Sequence, residues 1–195
     1  ETSKTVLTGL AHKLVEVDFS ELSSGICSYY VIAPAECSSN LSRFDGVKYG
    51  YRSEGEKDIA NLYMNTRSDG FGDEVKKRIL IGTHVLSAGF YDAYYLQAQK
   101  VRRMIKVKFE DFFRNVDLIF MPTTLDQAFE KNRKSDDPNR MYKEDLLTIP
   151  ANLAGLPAIS FPNGFKNNLP IGGQLIGKYF GCLLYTSDAA DDSLR

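Results

Sequence analysis

The chain has 195 residues, of which 43% are hydrophobic and 25% charged, and its 24 basic and 25 acidic side chains leave a net charge of −1. That balance suits one domain, or a large piece of a bigger one, and argues against disorder. It supplies no global field to attract nucleic acid or an anionic membrane, and no apolar run approaches the roughly 18 to 20 residues that cross a bilayer. The opening ETSKTVL has neither an initiator Met nor a basic, apolar leader, as expected of a piece of a longer chain. Cys27, Cys37 and Cys182 make an odd count without metal-ligand spacing, and only His12 and His84 could join them. No metal site is therefore expected, and the thiols read as reduced, in a cytoplasmic protein.

Along the chain, Lys13 to Phe19 alternates apolar and polar residues and predicts a strand. Ser20 to Leu41 reads as a helix, with Pro34 marking a kink or break. Ser42 to Gly55, rich in Gly, Tyr, Arg and Ser, reads as an irregular functional loop. Helices are predicted over Glu56 to Thr66, stopped near Ser68-Asp69-Gly70, and over Gly72 to Leu86, with Val75, Ile79 and Val85 on its apolar side. Tyr91 to Asn115 spaces Tyr94, Tyr95, Ala98, Val101, Ile105, Phe109 and Phe112 as one long amphipathic helix does. Val116 to Met121 is a compact apolar run that predicts a buried strand, and Pro122-Thr123-Thr124 ends it at a site edge.

Asp126 to Asn139 reads as an exposed loop, and Met141 to Ala154 as a helix interrupted near Pro150. Two further apolar runs, Leu156 to Pro162 and Leu169 to Ile176, flank a polar loop and predict two strands joined by a turn. Gly155, Gly164, Gly172 and Gly173 mark bends or close backbone approach within this region. Helices alternating with buried strands imply an α/β domain built on a mixed β-sheet covered by helices. The last fourteen residues, CLLYTSDAADDSLR, break character. They resemble the translation of a sequencing adaptor, so residues 1–181 are taken as the domain and 182–195 as a non-native tail.

The segments APAECSSNLSRFDGVKYG, GFGDEVKKRI, YYLQAQKVRR, MYKEDLLTIPANLAGLPAIS and PIGGQLIG closely resemble the C-terminal part of the amidase-signature enzymes. The resemblance covers roughly residues 7 to 181. Within that family, SSNLSRFDGVKYG is similar to the glutamine-hydrolysing subunits of tRNA-dependent amidotransferases. The resemblance implies release of ammonia from glutamine and its delivery to a partner subunit, where Glu-tRNA(Gln) becomes Gln-tRNA(Gln). It further implies the amidotransferase B and C subunits as partners, with ATP and magnesium at the first of these and no cofactor in this chain. The chain itself has no phosphate-binding glycine motif. Two alternatives stay open: another amidase-signature hydrolase of small amides, and a non-catalytic glutamine-binding module.

Family members resemble one another in a Ser, a second Ser and a Lys that activate a nucleophilic hydroxyl. No Gly-Gly-Ser-Ser-Gly-Gly run occurs here, and the pairs Ser23-Ser24 and Ser38-Ser39 lack the glycines that would bare backbone N–H donors. No catalytic residue is therefore assigned, and the 195 residues alone are expected to be inert. What the resemblance does imply is a grip on free glutamine. Arg78 would meet the α-carboxylate with its planar fork, and Asp145 would meet the α-ammonium. Tyr29, with its neighbour Tyr30 as second choice, would complete the pocket.

Pattern alone gives blander roles. Lys76-Lys77-Arg78 reads as a solvated helix face, Asp145 as a surface residue and Tyr29 as a core aromatic. Arg43, Asp45 and Tyr49 form a polar cluster that is either a lid or partner contact, or a self-satisfied turn at Asp45-Gly46.

Overall fold

The computed structural model describes residues 2–9, 13–55, 57–129 and 144–181. Six α-helices are seen among them: α1 (Thr2–Gly9), α2 (Gly25–Leu41), α3 (Ile59–Gly70), α4 (Asp73–Val85), α5 (Leu96–Phe112) and α6 (Ile149–Ala154). Three strands, β1 (Leu118–Pro122), β2 (Ala158–Lys166) and β3 (Leu169–Gly177), form an antiparallel sheet in the order β1-β3-β2. The α/β class expected from the sequence is what the chain adopts. It divides into two compact units, Glu1–Ile26 with Val101–Arg195, and Cys27–Lys100; the division falls within α2 and α5.

The first unit contains the sheet. Its core is Ile105 and Phe109 of α5, Ile119 of β1, Ile176 of β3, and Ile149, Leu153 and Ala154 of α6. Phe109 is the hub of an aromatic cluster, with Phe19 edge-on at 5.7 Å and Phe113 stacked at 6.4 Å. Removing such a ring costs about 3–5 kcal/mol, from lost burial and the cavity left behind.

The hairpin turns more tightly than the sequence predicts. β2 runs on to Lys166, which pairs with Leu169, leaving Asn167 and Asn168 as a two-residue loop. Their φ values of 52° and 61° fit a type I′ turn, and Asn is the non-glycine residue that tolerates that region best.

Two expectations are corrected. Lys13–Phe19 forms no strand. Leu14 and Val15 are exposed, and Phe19 is used by the ring cluster, stacking on Phe112 at 5.3 Å. Alternation by itself does not make a strand without a neighbouring edge to pair with. Of the helix expected over Met141 to Ala154, Glu144 is helical, 145–148 form a turn, and α6 proper starts only at Ile149. Pro150 thus sits in the first turn, where its missing N–H is not needed, rather than in a helix interior. Met141 to Lys143, and most of the loop expected to Asn139, lie outside the described residues, as does the 182–195 tail.

The second unit is helical. Pro34 does not break α2. The carbonyl of Pro34 instead meets α4 at Gly82, where a Cβ would stand 1.9 Å from the oxygen. Backbone therefore packs on backbone at that crossing, and only glycine allows it. Ser38 Oγ and Thr83 Oγ1 share a hydrogen bond of 2.8 Å one turn further on. Asp58 caps α3 by accepting the Asn61 N–H at 3.2 Å. The long helix expected from Tyr91 opens as a π-helical turn over Tyr91–Tyr95 before α5 begins.

Candidate functional site

Arg78 leaves its solvated neighbours. Lys77 is exposed, but Arg78 is half-buried and turned toward α2. Its Nε donates to Glu74 Oε1 at 3.0 Å, one helical turn back, and the guanidinium also shares a hydrogen bond with Tyr29. Glu74 first, and Tyr29 second, hold the guanidinium above its ordinary pKa, against a weaker opposing effect of burial. The Tyr29 ring stands edge-on to Tyr30 at 5.1 Å, so the second-choice tyrosine buttresses the first. The structure thus brings together two of the three residues expected to grip glutamine. A fixed cationic fork beside a phenol is suited to receiving a carboxylate.

Asp145 belongs to the other unit, on the exposed turn that leads into α6. Its backbone carbonyl accepts the N–H groups of Thr148 at 3.2 Å and Ile149 at 3.0 Å, which fixes that turn. Thr148 and Asn152 then form part of the wall of a hollow of about 280 Å³, together with Thr123, Ala151, Ser160 and Gln174.

The sheet makes this hollow. Directly paired strand residues share a face, so Ser160 of β2 and Gln174 of β3 point the same way. Thr123, whose N–H donates to the Gly172 carbonyl, joins them just past the end of β1. Its hydroxyl lies 2.9 Å from that of Ser160. A Cβ on Gly172 would meet Thr123 Oγ1 at 2.9 Å, so the missing side chain makes room for the hydroxyl pair. Gln174 is only 3% exposed. Its Nε2 donates to the carbonyls of Leu147 at 2.8 Å and Pro122 at 3.3 Å, tying the turn before α6 to the end of β1.

The Asp45 cluster takes the self-satisfied form. The Asp45 carboxylate accepts the N–H groups of Val47 at 2.8 Å and Lys48 at 3.1 Å, around Gly46 at φ 78°. These bonds, Val47 first, hold its pKa below the usual carboxylate value. Arg67 donates to the carbonyls of Leu41 and Phe44, pinning the loop at its base, while Arg43 and Tyr49 stay exposed.

Comparison with known proteins decides the family. The family model described as Amidase matches residues 1–181. The chain belongs to the amidase family. Among relatives, it is 60% identical over 172 residues to the A subunit of Glutamyl-tRNA(Gln) amidotransferase of Hahella chejuensis, covering 88% of this chain and 35% of that one. It is 54% identical over 180 residues to the protein of the same name from Coxiella burnetii, covering 92% and 37%. Among solved structures, that of the same amidotransferase polypeptide from Thermotoga maritima superposes with a TM-score of 0.63 at 42% identity, covering 91% of this chain and 34% of that one. This amidase chain therefore spans about a third of the length of the relatives it matches.

Sequence reasoning stopped short of the hollow in this amidase chain. Pro122-Thr123-Thr124 read correctly as the end of a strand, but Ser160 and Gln174 passed as ordinary strand residues. The available signal was Gln174 itself, a lone amide inside the apolar run LPIGGQLIG, since a buried amide has to find partners.

Proposed function

We propose that this chain is part of the glutamine-hydrolysing subunit of a tRNA-dependent amidotransferase. Ammonia released from glutamine passes to a partner subunit that converts Glu-tRNA(Gln) to Gln-tRNA(Gln). In this reading Arg78 holds the α-carboxylate, Asp145 the α-ammonium, and Tyr29 orients the guanidinium. The amidotransferase B and C subunits are its partners, and ATP and magnesium act at the first of these. The observation that supports it most is the Arg78–Tyr29 pair: a half-buried cation drawn out of a basic run and held by a phenol. The names carried by relatives at 54–60% identity favour the same reading over a hydrolase of simple amides.

No nucleophile is assigned within these 195 residues, which span about a third of the length of the relatives, so the test uses the full-length protein. Ammonia release from glutamine is measured for wild type, Arg78→Ala and Asp145→Ala. Loss of kcat/KM for glutamine in both variants supports the reading. Turnover of a simple alkyl amide with no use of glutamine would identify the other hydrolase class. Glutamine binding without ammonia release would identify a binding module.

A further inference from the structure

The pair of Glu74 and Arg78 joins an exposed side chain to a largely covered one: Glu74 keeps 61% of its side-chain surface in water and Arg78 only 33%. The sequence sets this pair up locally. Glu74 lies in the first turn of α4, where the helix dipole favours an acid, and four residues before its base, the better order for such a pair. The neighbouring acid, Asp73, goes to Lys76 at 3.3 Å and so does not compete for Arg78. What matters is which donor Glu74 takes. A guanidinium can meet both oxygens of a carboxylate side-on, through Nε and one Nη, or end-on, through its two Nη groups. Here the Nε–H is spent on Glu74 Oε1 at 3.0 Å, which closes the side-on edge. The Nη hydrogens are left for other partners, Tyr29 among them.

We propose that Glu74 is a positioning residue: by holding the Arg78 Nε–H it orders the guanidinium in advance and turns the end-on edge toward a ligand carboxylate. The proposal rests on the glutaminase reading, in which that carboxylate is the α-carboxylate of glutamine. In this role Glu74 acts through Arg78 and makes no contact with the ligand. Its charge works against binding, since one carboxylate beside the cation weakens the pull on a second. The gain is entropic. An arginine side chain has many rotamers, and a fork already fixed in the free protein loses less freedom when the ligand arrives. Geometry and charge therefore make opposite demands on a substitute. Glu74→Gln keeps an acceptor oxygen and removes the charge, whereas Glu74→Ala removes both.

The test is steady-state ammonia release from glutamine by the full-length protein, as wild type, Glu74→Ala, Glu74→Gln, Arg78→Ala and Glu74→Ala with Arg78→Ala. The melting temperature of each is recorded alongside. Glu74→Ala should raise KM by about three- to tenfold, the cost of ordering one long side chain, with kcat little changed. Glu74→Gln should stay within about twofold of wild type, because the acceptor for Nε–H is retained. In the Arg78→Ala background, removing Glu74 should change nothing further, since its effect passes through the guanidinium. A role confined to the stability of α4 would lower the melting temperature in both backgrounds and leave KM where it was. An unchanged KM in Glu74→Ala, an equal loss with and without Arg78, or no rescue by Glu74→Gln would each overturn the proposal. The two failures look different. A wild type that releases no ammonia from glutamine removes the glutaminase, and the positioning role with it. Ammonia release weakened by Arg78→Ala and untouched by Glu74→Ala removes the positioning role alone.

Discussion

The two units of this chain are held together by different physics. The sheet unit relies on volume: Phe109, Ile105 and Ile176 are fully buried, and four phenylalanine rings, Phe19, Phe109, Phe112 and Phe113, pack around one another. The helical unit relies on closeness and on polar pins. Its central crossing is backbone against backbone at Pro34 and Gly82, fastened by Ser38 to Thr83, while Leu80 and Ile81 on the same helix stay exposed. The chemistry divides likewise. The helical unit presents a charged fork at Arg78, whereas the sheet unit presents a neutral hollow of hydroxyls and an amide. A ring-filled core tolerates small backbone shifts and suffers when atoms are removed. A close crossing suffers when atoms are added.

That contrast can be broken in both directions. Phe109→Ala should have the largest effect, about 3–5 kcal/mol of stability, because a fully buried ring leaves a cavity. Calorimetric melting of the full-length protein would measure it, and a loss below about 1 kcal/mol would mean that neighbouring rings collapse into the gap. Gly82→Ala tests the opposite kind of packing. In an ordinary helix interior that change gains about 0.5–1 kcal/mol. Here the added carbon would lie 1.9 Å from the Pro34 oxygen, so a loss of about 1–3 kcal/mol is expected. A stabilised variant would show that the helices part at little cost.

Arg78→Ala separates stability from function. The ion pair with Glu74 is worth about 0.3–0.5 kcal/mol and the hydrogen bond with Tyr29 about 1 kcal/mol, so the loss of stability should stay below about 2 kcal/mol. Transition-state binding of glutamine should weaken by about 1.5–3 kcal/mol, from loss of a charge-assisted contact. Ammonia-release kinetics on the full-length protein would check it, and unchanged kcat and KM would remove Arg78 from the site. The hairpin offers a smaller test in the sheet unit. Asn168 sits at φ 61°, where a β-branched residue is strained, so Asn168→Val should cost about 1–2 kcal/mol. Asn168→Gly should restore or raise the melting temperature.

How far the sequence could be read follows the same division. The sheet unit's hairpin and α5 were legible because their patterns are local: period-2 runs beside a polar turn, and apolar residues repeating along one helical stripe. Lys13–Phe19 has the right alternation, but strand formation depends on a partner edge that no local pattern supplies. Pro150 was misleading because the same residue forbids a helix interior and favours a first turn, and only the boundary decides between them.

In the helical unit, the run Lys76-Lys77-Arg78 looks uniformly solvated when read as neighbours. Read at helical spacing, Arg78 falls three residues after Val75 and four before Gly82, on the stripe that continues to the buried Val85. The inward turn of Arg78 was therefore present in the sequence as periodicity. Its role as a carboxylate contact came only from resemblance. Gln174 was hidden for a different reason. Its importance depends on which carbonyls surround it, and those belong to segments 52 and 27 residues away.

Asp45 tests the smallest term and the polar pinning of the helical unit. Hydrogen bonds from the Val47 N–H, and then from the Lys48 N–H, stabilise its charged form and depress its pKa in the folded chain. A depressed carboxylate contributes stability that is fully present above its unfolded value near 3.8 and is lost as pH falls through the lower folded value. Asp45→Asn should therefore melt slightly below wild type at neutral pH, and the difference should close as pH drops below 3.8. The carboxylate is solvent-exposed, so screening by added salt should shrink the difference as well. A difference that persists in acid would mean that the turn needs an acceptor of this shape and makes no use of the charge. The loop from Ser42 to Gly55 would then be held by Arg67 and its two carbonyl partners, Leu41 and Phe44, without help from Asp45.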